Sequence, residues 1–434
     1  MHPLKISDNK RYLVQADGQP FFYLGDTAWE LFHRLSREDA DKYLQHRARH
    51  RFTVIQAVVL AELDGLDDPN PYGEKPLIDN DPTKPNPKYF EHVDWIVNRA
   101  AQMRLTIAML PTWADKVTDD HKIFTRDNAR VYGEFLGRRY KEAPIIWVLG
   151  GDRLIENAEV KAVWHAMAEG IKSGDSGRHL MTFHPRGGVG SSRDFHDAPW
   201  LDFNMWQTGH DTDNAASDHI RQDWALTPAK PTLDGEPLYE DIPISFNGAR
   251  NGYSQAADVR RKAYITLLAG GHGFTYGNNS VWQMNKPGKN PAFGPLNFWF
   301  DALNRPGALQ MQHVRSLIES RPMLLRVPAP EMVLSPHNAG LKRQECARAG
   351  DGSYAFIYTP TSREIVVDVS KMSGLNLRAW WFDPRSGSAT RIGEVLRAEQ
   401  DRCSWTPPNE GENQDWVLVL DDAAREFGPP GLVR

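Results

Sequence analysis

The sequence predicts a closed (β/α)8 barrel followed by a small antiparallel β-sandwich, and three observations carry that prediction. Eight short apolar runs alternate with helix-patterned segments over roughly the first 300 residues. The runs are apolar throughout, as strands covered on both faces require. After about residue 322 helical periodicity gives way to short β-rich runs parted by turns. A doubly wound open sheet is the competing arrangement. It is disfavoured because no glycine-rich phosphate turn follows the first strand.

Residues 1–20 read as a short hairpin, in which Tyr12-Leu13-Val14 leads into a turn at Asp17-Gly18. Phe21 to Gly25 is the first barrel strand. Ser36 can cap the next helix, with Asp39 three residues on and Ala40, Tyr43 and Leu44 on one face. Phe52 to Leu60 is the second strand, followed by a helix carrying Val93, Ile96, Val97 and Ala100. Leu105 to Leu110 is the third, stopped by Pro111, and Val131, Phe135 and Leu136 suggest the helix after it. Ile145 to Leu149 is the fourth, ended by Gly150-Gly151-Asp152. Val160, Val163, Trp164, Met167, Ala168 and Ile171 form the clearest amphipathic helix. Leu180 to Phe183, Leu201 to Trp206 and Pro231 to Leu233 are strands five to seven, the last running into Asp234-Gly235-Glu236. A helix with Ala256, Val259, Ala263, Leu267 and Leu268 precedes the eighth strand, Gly273 to Tyr276, and Met311, Val314 and Ile318 mark the last helix. In the sandwich the strand candidates are Met332-Val333-Leu334, Tyr354 to Tyr358, Ile365-Val366-Val367, Ala379 to Phe382 and Trp416 to Leu420. The expected division is 1–322 and 323–434. The sandwich is expected to bury apolar surface against the barrel, with one ring of Trp380, Trp381 and Phe382 at that interface.

Composition narrows the function. The 434 residues are 40% hydrophobic and 25% charged, as in ordinary globular proteins. The net charge of −5 argues against a nucleic-acid or anionic-membrane partner. Two cysteines, Cys346 and Cys403, exclude a disulfide-rich scaffold and a thiolate zinc site, although one bridge between them is possible. No apolar run reaches 18 residues, so no membrane span is expected. The opening Met1-His2-Pro3-Leu4-Lys5 lacks the apolar core of a secretion signal, which leaves a cytoplasmic protein or one whose signal has been trimmed. No cofactor is implied, and oligomeric state is not legible.

Active sites of such barrels lie at the C-terminal ends of the strands. The polar residues just past the apolar runs are Asp26, Glu62, Asp115, Asp152, His184, Gln207, His210, Glu236 and the group around Tyr276. Trp29, Trp113, Trp206, Tyr239, Tyr276 and Trp282 are interleaved with them. Carboxyl groups among flat aromatic faces suit a carbohydrate. Glycosidic cleavage needs one carboxylic acid to protonate the leaving oxygen and a second carboxylate as nucleophile or as base for water. Asp152 and Glu236 are best placed, each behind a glycine. Other readings compete. Asp152 could be a helix cap or a salt-bridge partner of Arg153, Glu240 or Asp234 could replace Glu236, and Trp113 and Trp206 could be core. His184, His196, His210 and His272 could bind a metal, but no helical His pair spaces them for it, and no metal is expected. Gly187-Gly188-Val189-Gly190 resembles a phosphate loop only loosely. A non-catalytic carbohydrate- or matrix-binding protein that uses the sandwich is the alternative of another class.

Several stretches resemble the apiosidase-like glycoside hydrolases in the family's order. They are Tyr23-Leu24-Gly25-Asp26-Thr27-Ala28-Trp29, Gln56-Ala57-Val58-Val59-Leu60-Ala61-Glu62, Leu110-Pro111-Thr112-Trp113 and Trp147-Val148-Leu149-Gly150-Gly151-Asp152. Gln207-Thr208-Gly209-His210, Gly235-Glu236-Pro237-Leu238-Tyr239-Glu240 and Thr275-Tyr276-Gly277 complete the set, which spans about residues 5–320. The remainder resembles the sandwich usually appended to that family and named for collagen binding. The resemblance implies a retaining enzyme whose acid/base, Asp152, follows strand four and whose nucleophile, Glu236, follows strand seven. Asp152 stands where the wider clan has the Glu of an Asn-Glu pair. The expected roles follow. Glu240 and Tyr239 position Glu236; Asp26, Glu62, His184, Gln207 and His210 grip sugar hydroxyls; Trp113, Trp206, Tyr276 and Trp282 form walls. The resemblance also implies a plant or microbial polysaccharide as substrate, the founding activity being on apiose-containing pectin.

Overall fold

The computed structural model describes residues 3–118, 121–213, 216–397, 401–409 and 411–432. Eight parallel strands form the ring: Tyr23–Thr27, Val54–Leu60, Thr106–Thr112, Ile145–Gly150, Met181–His184, Asn204–Gln207, Thr232–Asp234 and Gly273–Tyr276. Strand eight pairs with strand one, Gly273 opposite Tyr23 and Tyr276 opposite Asp26. Strands five and six do not share a ladder. The Asp202 N–H donates to Met181 O at 2.8 Å and the Thr182 hydroxyl donates to Phe203 O at 2.6 Å, which closes the ring. Val189–Gly190 adds an antiparallel piece to strand six, so these two residues of the glycine-rich run form a sheet edge, while Gly187 and Gly188 form the turn before it.

Successive residues of a strand face opposite sides, and the two sides of this ring are both apolar. Tyr23, Val54, Val58, Ala108, Leu110, Ile146, Val148 and Met205 fill the barrel interior. Their neighbours Leu24, Ile55, Ala57, Val59, Ile107, Met109, Trp147 and Leu149 face the helices. Every residue of Val54–Leu60 is therefore buried. The helices form where the apolar spacing predicts them, at Arg37–Arg49, Pro87–Gln102, Arg126–Tyr140, Ala158–Asp175, Ala256–Leu268 and Pro306–Glu319. Ser36 caps the first of these by accepting from the Asp39 N–H. Helix Ala216–Trp224 has no counterpart in the sequence reading. Val131 is 49% exposed and not on a core face. The inner face of its helix carries Tyr132, Gly133, Leu136 and Gly137 instead. Those glycines matter because a Cβ on Gly133 would stand 2.4 Å from Met167 O of the next helix.

The C-terminal part is a six-stranded antiparallel sheet packed on the two-stranded pair Ile365–Asp368 and Arg402–Trp405. Strands Arg326–Pro328, Glu345–Ala349, Ala389–Leu396 and Arg402–Trp405 escaped the sequence reading. Met332 ends a short helical turn, and Val333 makes only an isolated bridge to Val367. One face of the larger sheet joins the barrel core, and Trp380 and Phe382 lie on it while Trp381 lies between the sheets. Across this junction Tyr264 stacks on Tyr358 with centroids 5.0 Å apart. Arg260 donates twice to Asp415, at 3.1 and 2.6 Å, and the Tyr358 hydroxyl donates to the same carboxylate. Cys346 and Cys403 are both buried and free. Among the described residues no helix is long and apolar enough to cross a membrane.

Candidate active site

The C-terminal ends of the strands open into a cavity of about 560 Å³, a size ordinary for a small-molecule site. Asp152, Glu236, Glu62, Gln207, His210, Trp113, Tyr239 and Trp282 line it. These eight expected site residues, far apart in sequence, meet in one place.

Local structure explains how each carboxyl is delivered. Strand four ends in three consecutive left-handed residues, Gly150, Gly151 and Asp152. A Cβ on Gly151 would stand 2.7 Å from the Trp113 ring, so only glycine allows the turn against that wall. Gly235 plays a different part. Its backbone is not left-handed, but a Cβ there would meet Met205 Sδ at 2.5 Å. Buried Gln56 holds the adjoining carbonyl, its Nε2 donating to Gly235 O at 2.9 Å while Tyr23 donates to its Oε1.

The two carboxyls sit in opposite electrostatic surroundings. Glu236 is nearly buried, its side chain 7% exposed. His210 Nε2 is 3.2 Å from its Oε1, and His184 Nε2 approaches Oε2 at 2.9 Å, off the line of a good hydrogen bond. Burial pushes the Glu236 carboxyl up, but the two imidazoles outweigh it and hold the group down to about 2. Asp152 is pushed up instead, by burial and then by the Glu236 charge, against weaker opposition from His184, Arg153 and Gln207. Its side chain remains 38% exposed, and Arg153 stands 3.8 Å away. Glu62 carries no cation partner among the described residues. Burial, then the charges of Asp152, Glu30, Asp115 and Glu236, push its carboxyl up to about 8.

Trp29 and Trp113 meet at 5.2 Å and both contact the His184 ring, so His184 lies beneath the cavity wall and touches Glu236, not the open space. Tyr239 packs beside His210, and burial together with the Glu236 charge pushes its phenol up.

Four expected site residues belong elsewhere. Asp26 is fully buried, 2.6 Å from Arg47 Nε and bonded by Tyr43, and it does not grip a sugar. Trp206 is no wall: it stacks on His219 at 4.3 Å, outside the ring. Tyr276 donates to Glu240 at 2.6 Å, and Glu240 also accepts from the Gly307 N–H, so this pair ties loops together behind the strands and Glu240 does not position Glu236. Strand parity is the reason for the three that lie on strands. Tyr23 and Met205 point into the barrel, so Asp26 and Trp206 point out. Tyr276, two residues beyond the outward Phe274, points out as well. Asp234 spends its carboxylate on Thr208, at 2.7 Å to the hydroxyl. Asp115 is paired with Lys116 at 2.9 Å. His196 and His272 are remote from His184 and His210: His196 bonds Pro228 O, and His272 sits between the Tyr23 and Phe203 rings. Among the described residues no group of three or more His, Cys, Asp or Glu is arranged to hold a metal ion. The sequence reading missed Trp29 as a cavity wall, together with Arg186, Thr208, Asp211, Ser245, Phe246 and Phe293. Most of these lie on loops without periodicity.

The closed ring, its acidic cavity and the appended sandwich define the class as a glycoside hydrolase-like barrel. The particular family follows from sequence. The model described as "Apiosidase-like, catalytic domain" matches residues 7–325, and the chain belongs to that family. The model described as "Putative collagen-binding domain of a collagenase" matches residues 327–421. A solved structure titled "Glycoside hydrolase" is 35% identical, with 98% of each chain covered and a TM-score of 0.90. A glycoside hydrolase family 5 structure from Bacteroides vulgatus ATCC 8482 is 32% identical, covering 99% of this chain and 96% of that one, with a TM-score of 0.91. A structure from the same organism titled "a putative glycoside hydrolase" shares the fold at 16% identity and a TM-score of 0.67, over 97% of this chain and 82% of its own. No curated protein matches the chain.

Proposed function

We propose that the protein is a retaining glycoside hydrolase of apiosidase-like specificity that cleaves a plant or microbial polysaccharide or its oligosaccharides. One observation supports this most: two carboxyls lining one cavity with opposite shifts in proton affinity, Asp152 raised and Glu236 lowered. Such a separation assigns an acid and an anion. In this mechanism a Glu236 oxygen attacks the anomeric carbon as the glycosidic C–O bond breaks, and Asp152 gives its proton to the leaving oxygen. Asp152 then takes a proton from water, the water oxygen bonds to the anomeric carbon, and Glu236 is released as carboxylate. His210 and His184 keep Glu236 ionised and fixed. Glu62 and Gln207 are placed to hold hydroxyls, and Trp29, Trp113 and Trp282 to enclose the sugar. The sandwich at 323–434 serves as an accessory domain anchored to the barrel. Pectin fragments and bacterial polysaccharide fragments, with NMR of the first-formed product, test the reading. Retained anomeric configuration is expected; an inverted product overturns the double displacement, and no product from any fragment overturns the substrate class.

A further inference from the structure

Two phenylalanines at the cavity mouth are strained and exposed at once. Phe246 and Phe293 come from different loops, after strands seven and eight, and both line the cavity. Each adopts a left-handed backbone, with φ of +57° and +52°. That region is unfavourable for a bulky L-residue. Each also leaves about half its surface open, 54% and 51%. Neither feature helps folding, and folding is where a phenyl ring ordinarily gains by burial. Strain of this kind persists only where the surroundings fix it. Here Ser245 N–H donates to His210 O, Phe246 N–H donates to Pro243 O, and Asn279 donates to Phe293 O.

The fixed rings face each other, centroids 4.7 Å apart and 41° between planes. They extend a continuous aromatic surface. Phe293 meets the buried Trp282 at 6.4 Å, and Phe246 meets His210, which touches Glu236, at 5.3 Å. The surface thus runs from the carboxyl floor to solvent. A single sugar seated at Asp152 and Glu236 occupies the deep end. The outer end offers apolar area beside the Asp211 carboxylate, which accepts from the Ser245 hydroxyl at 3.3 Å, and this pairing suits the C–H face and a hydroxyl of a further ring.

We propose that Phe246 and Phe293 form an outer stacking platform for a second sugar ring, so that the substrate is an oligosaccharide chain longer than the one residue being cleaved. This deepens the hydrolase reading and rests on it for the position of the first ring. The test uses the full-length protein and the variants F246A and F293A. Turnover is measured on pectin-derived and bacterial oligosaccharides of two to four rings, and on the one-ring glycosyl fluoride of the sugar they release. The expected result is a kcat/KM that falls about tenfold further on the oligosaccharides than on the fluoride, with Phe→Tyr variants restoring it. An equal fall on both, or no fall, overturns the platform. Binding separates this failure from failure of the hydrolase reading. In an E236Q background, saturation-transfer NMR with the same oligosaccharides should lose its signal at the outer ring when either phenyl is removed. Loss of that signal supports the platform even if no oligosaccharide is hydrolysed. An unchanged signal, or no binding, overturns it. Phe246→Gly should also melt above F246A, because glycine relieves the left-handed backbone; the reverse order removes the strain on which the assignment stands.

Discussion

Glu62 offers a quantitative test of the cavity's electrostatics. Its carboxyl is pushed from 4.5 up to about 8, first by burial and then by Asp152, Glu30, Asp115 and Glu236. A carboxyl raised in the folded state holds its proton more tightly there than in the unfolded chain. Its contribution is therefore full below pH 4.5 and is lost as pH rises to about 8. At about 1.4 kcal/mol per pH unit, that window sets a ceiling of about 5 kcal/mol, and water at the cavity wall lowers it to about 2–5 kcal/mol. Glu62→Gln keeps the shape and removes the titration. Urea denaturation of both proteins at pH 4.5, 6, 7.5 and 9 should give matching stabilities at the acid end. The variant should then gain steadily and level off near pH 8–9. The carboxyls that raise Glu62 feel its charge in return, so the difference reports Glu62 together with that coupling, while groups far from the cavity cancel. A gap that does not change with pH, or a variant less stable at pH 9, would refute the argument that Glu62 is a neutral acid among carboxylates.

Three other outcomes follow from the same geometry. Asp152→Asn and Glu236→Gln should each lower kcat by about three orders of magnitude or more on any substrate found, with unchanged circular dichroism and melting within a few degrees. His210→Ala removes a group 3.2 Å from Glu236. The Glu236 carboxyl, held at about 2, should rise, and the acid limb of the kcat/KM profile should move to higher pH by about one unit or more; an unmoved limb counts against His210 as the holder of the anion. Asp415→Ala leaves Arg260 buried without its carboxylate, which should cost about 3–5 kcal/mol in urea titrations, with barrel and sandwich still unfolding together.

Much of the fold was legible because the ring imposes a simple chemistry. Strands covered on both faces are continuous apolar runs, and Val54–Leu60 or Ile145–Gly150 announce themselves in sequence. Edge strands do not. Ala389–Leu396 is exposed along most of its length and carries Arg391 and Glu394, so no hydrophobic signal marks it. At the site, the expectation that polar residues past a strand end reach the cavity holds for Asp152, Gln207 and Glu236 and fails for Asp26 and Tyr276. The failures were avoidable in principle. Tyr23 and Gly25 share a side with the barrel interior, so Asp26 has to face the helix that brings Arg47. Phe246 and Phe293 were hidden for another reason, since loop residues have no period to read and their strain exists only in three dimensions.

The division of labour between the two carboxyls lies in their neighbours more than in themselves. A motif can locate Asp152 and Glu236, but an aspartate and a glutamate differ little in intrinsic acidity. Strand five ends in His184 and the loop after strand six carries His210, and both imidazoles converge on Glu236. Asp152 receives no such pair and faces the negative charge those imidazoles stabilise. Glu62, with no cation partner among the described residues and its carboxyl pushed up to about 8, adds little charge to the cavity near neutral pH. In the proposed mechanism the Glu236 charge is thus itself part of what raises the Asp152 carboxyl. Removing the His210 imidazole should lift Glu236, whereas removing His184 also takes away an influence that lowers Asp152, so both carboxyls should then rise.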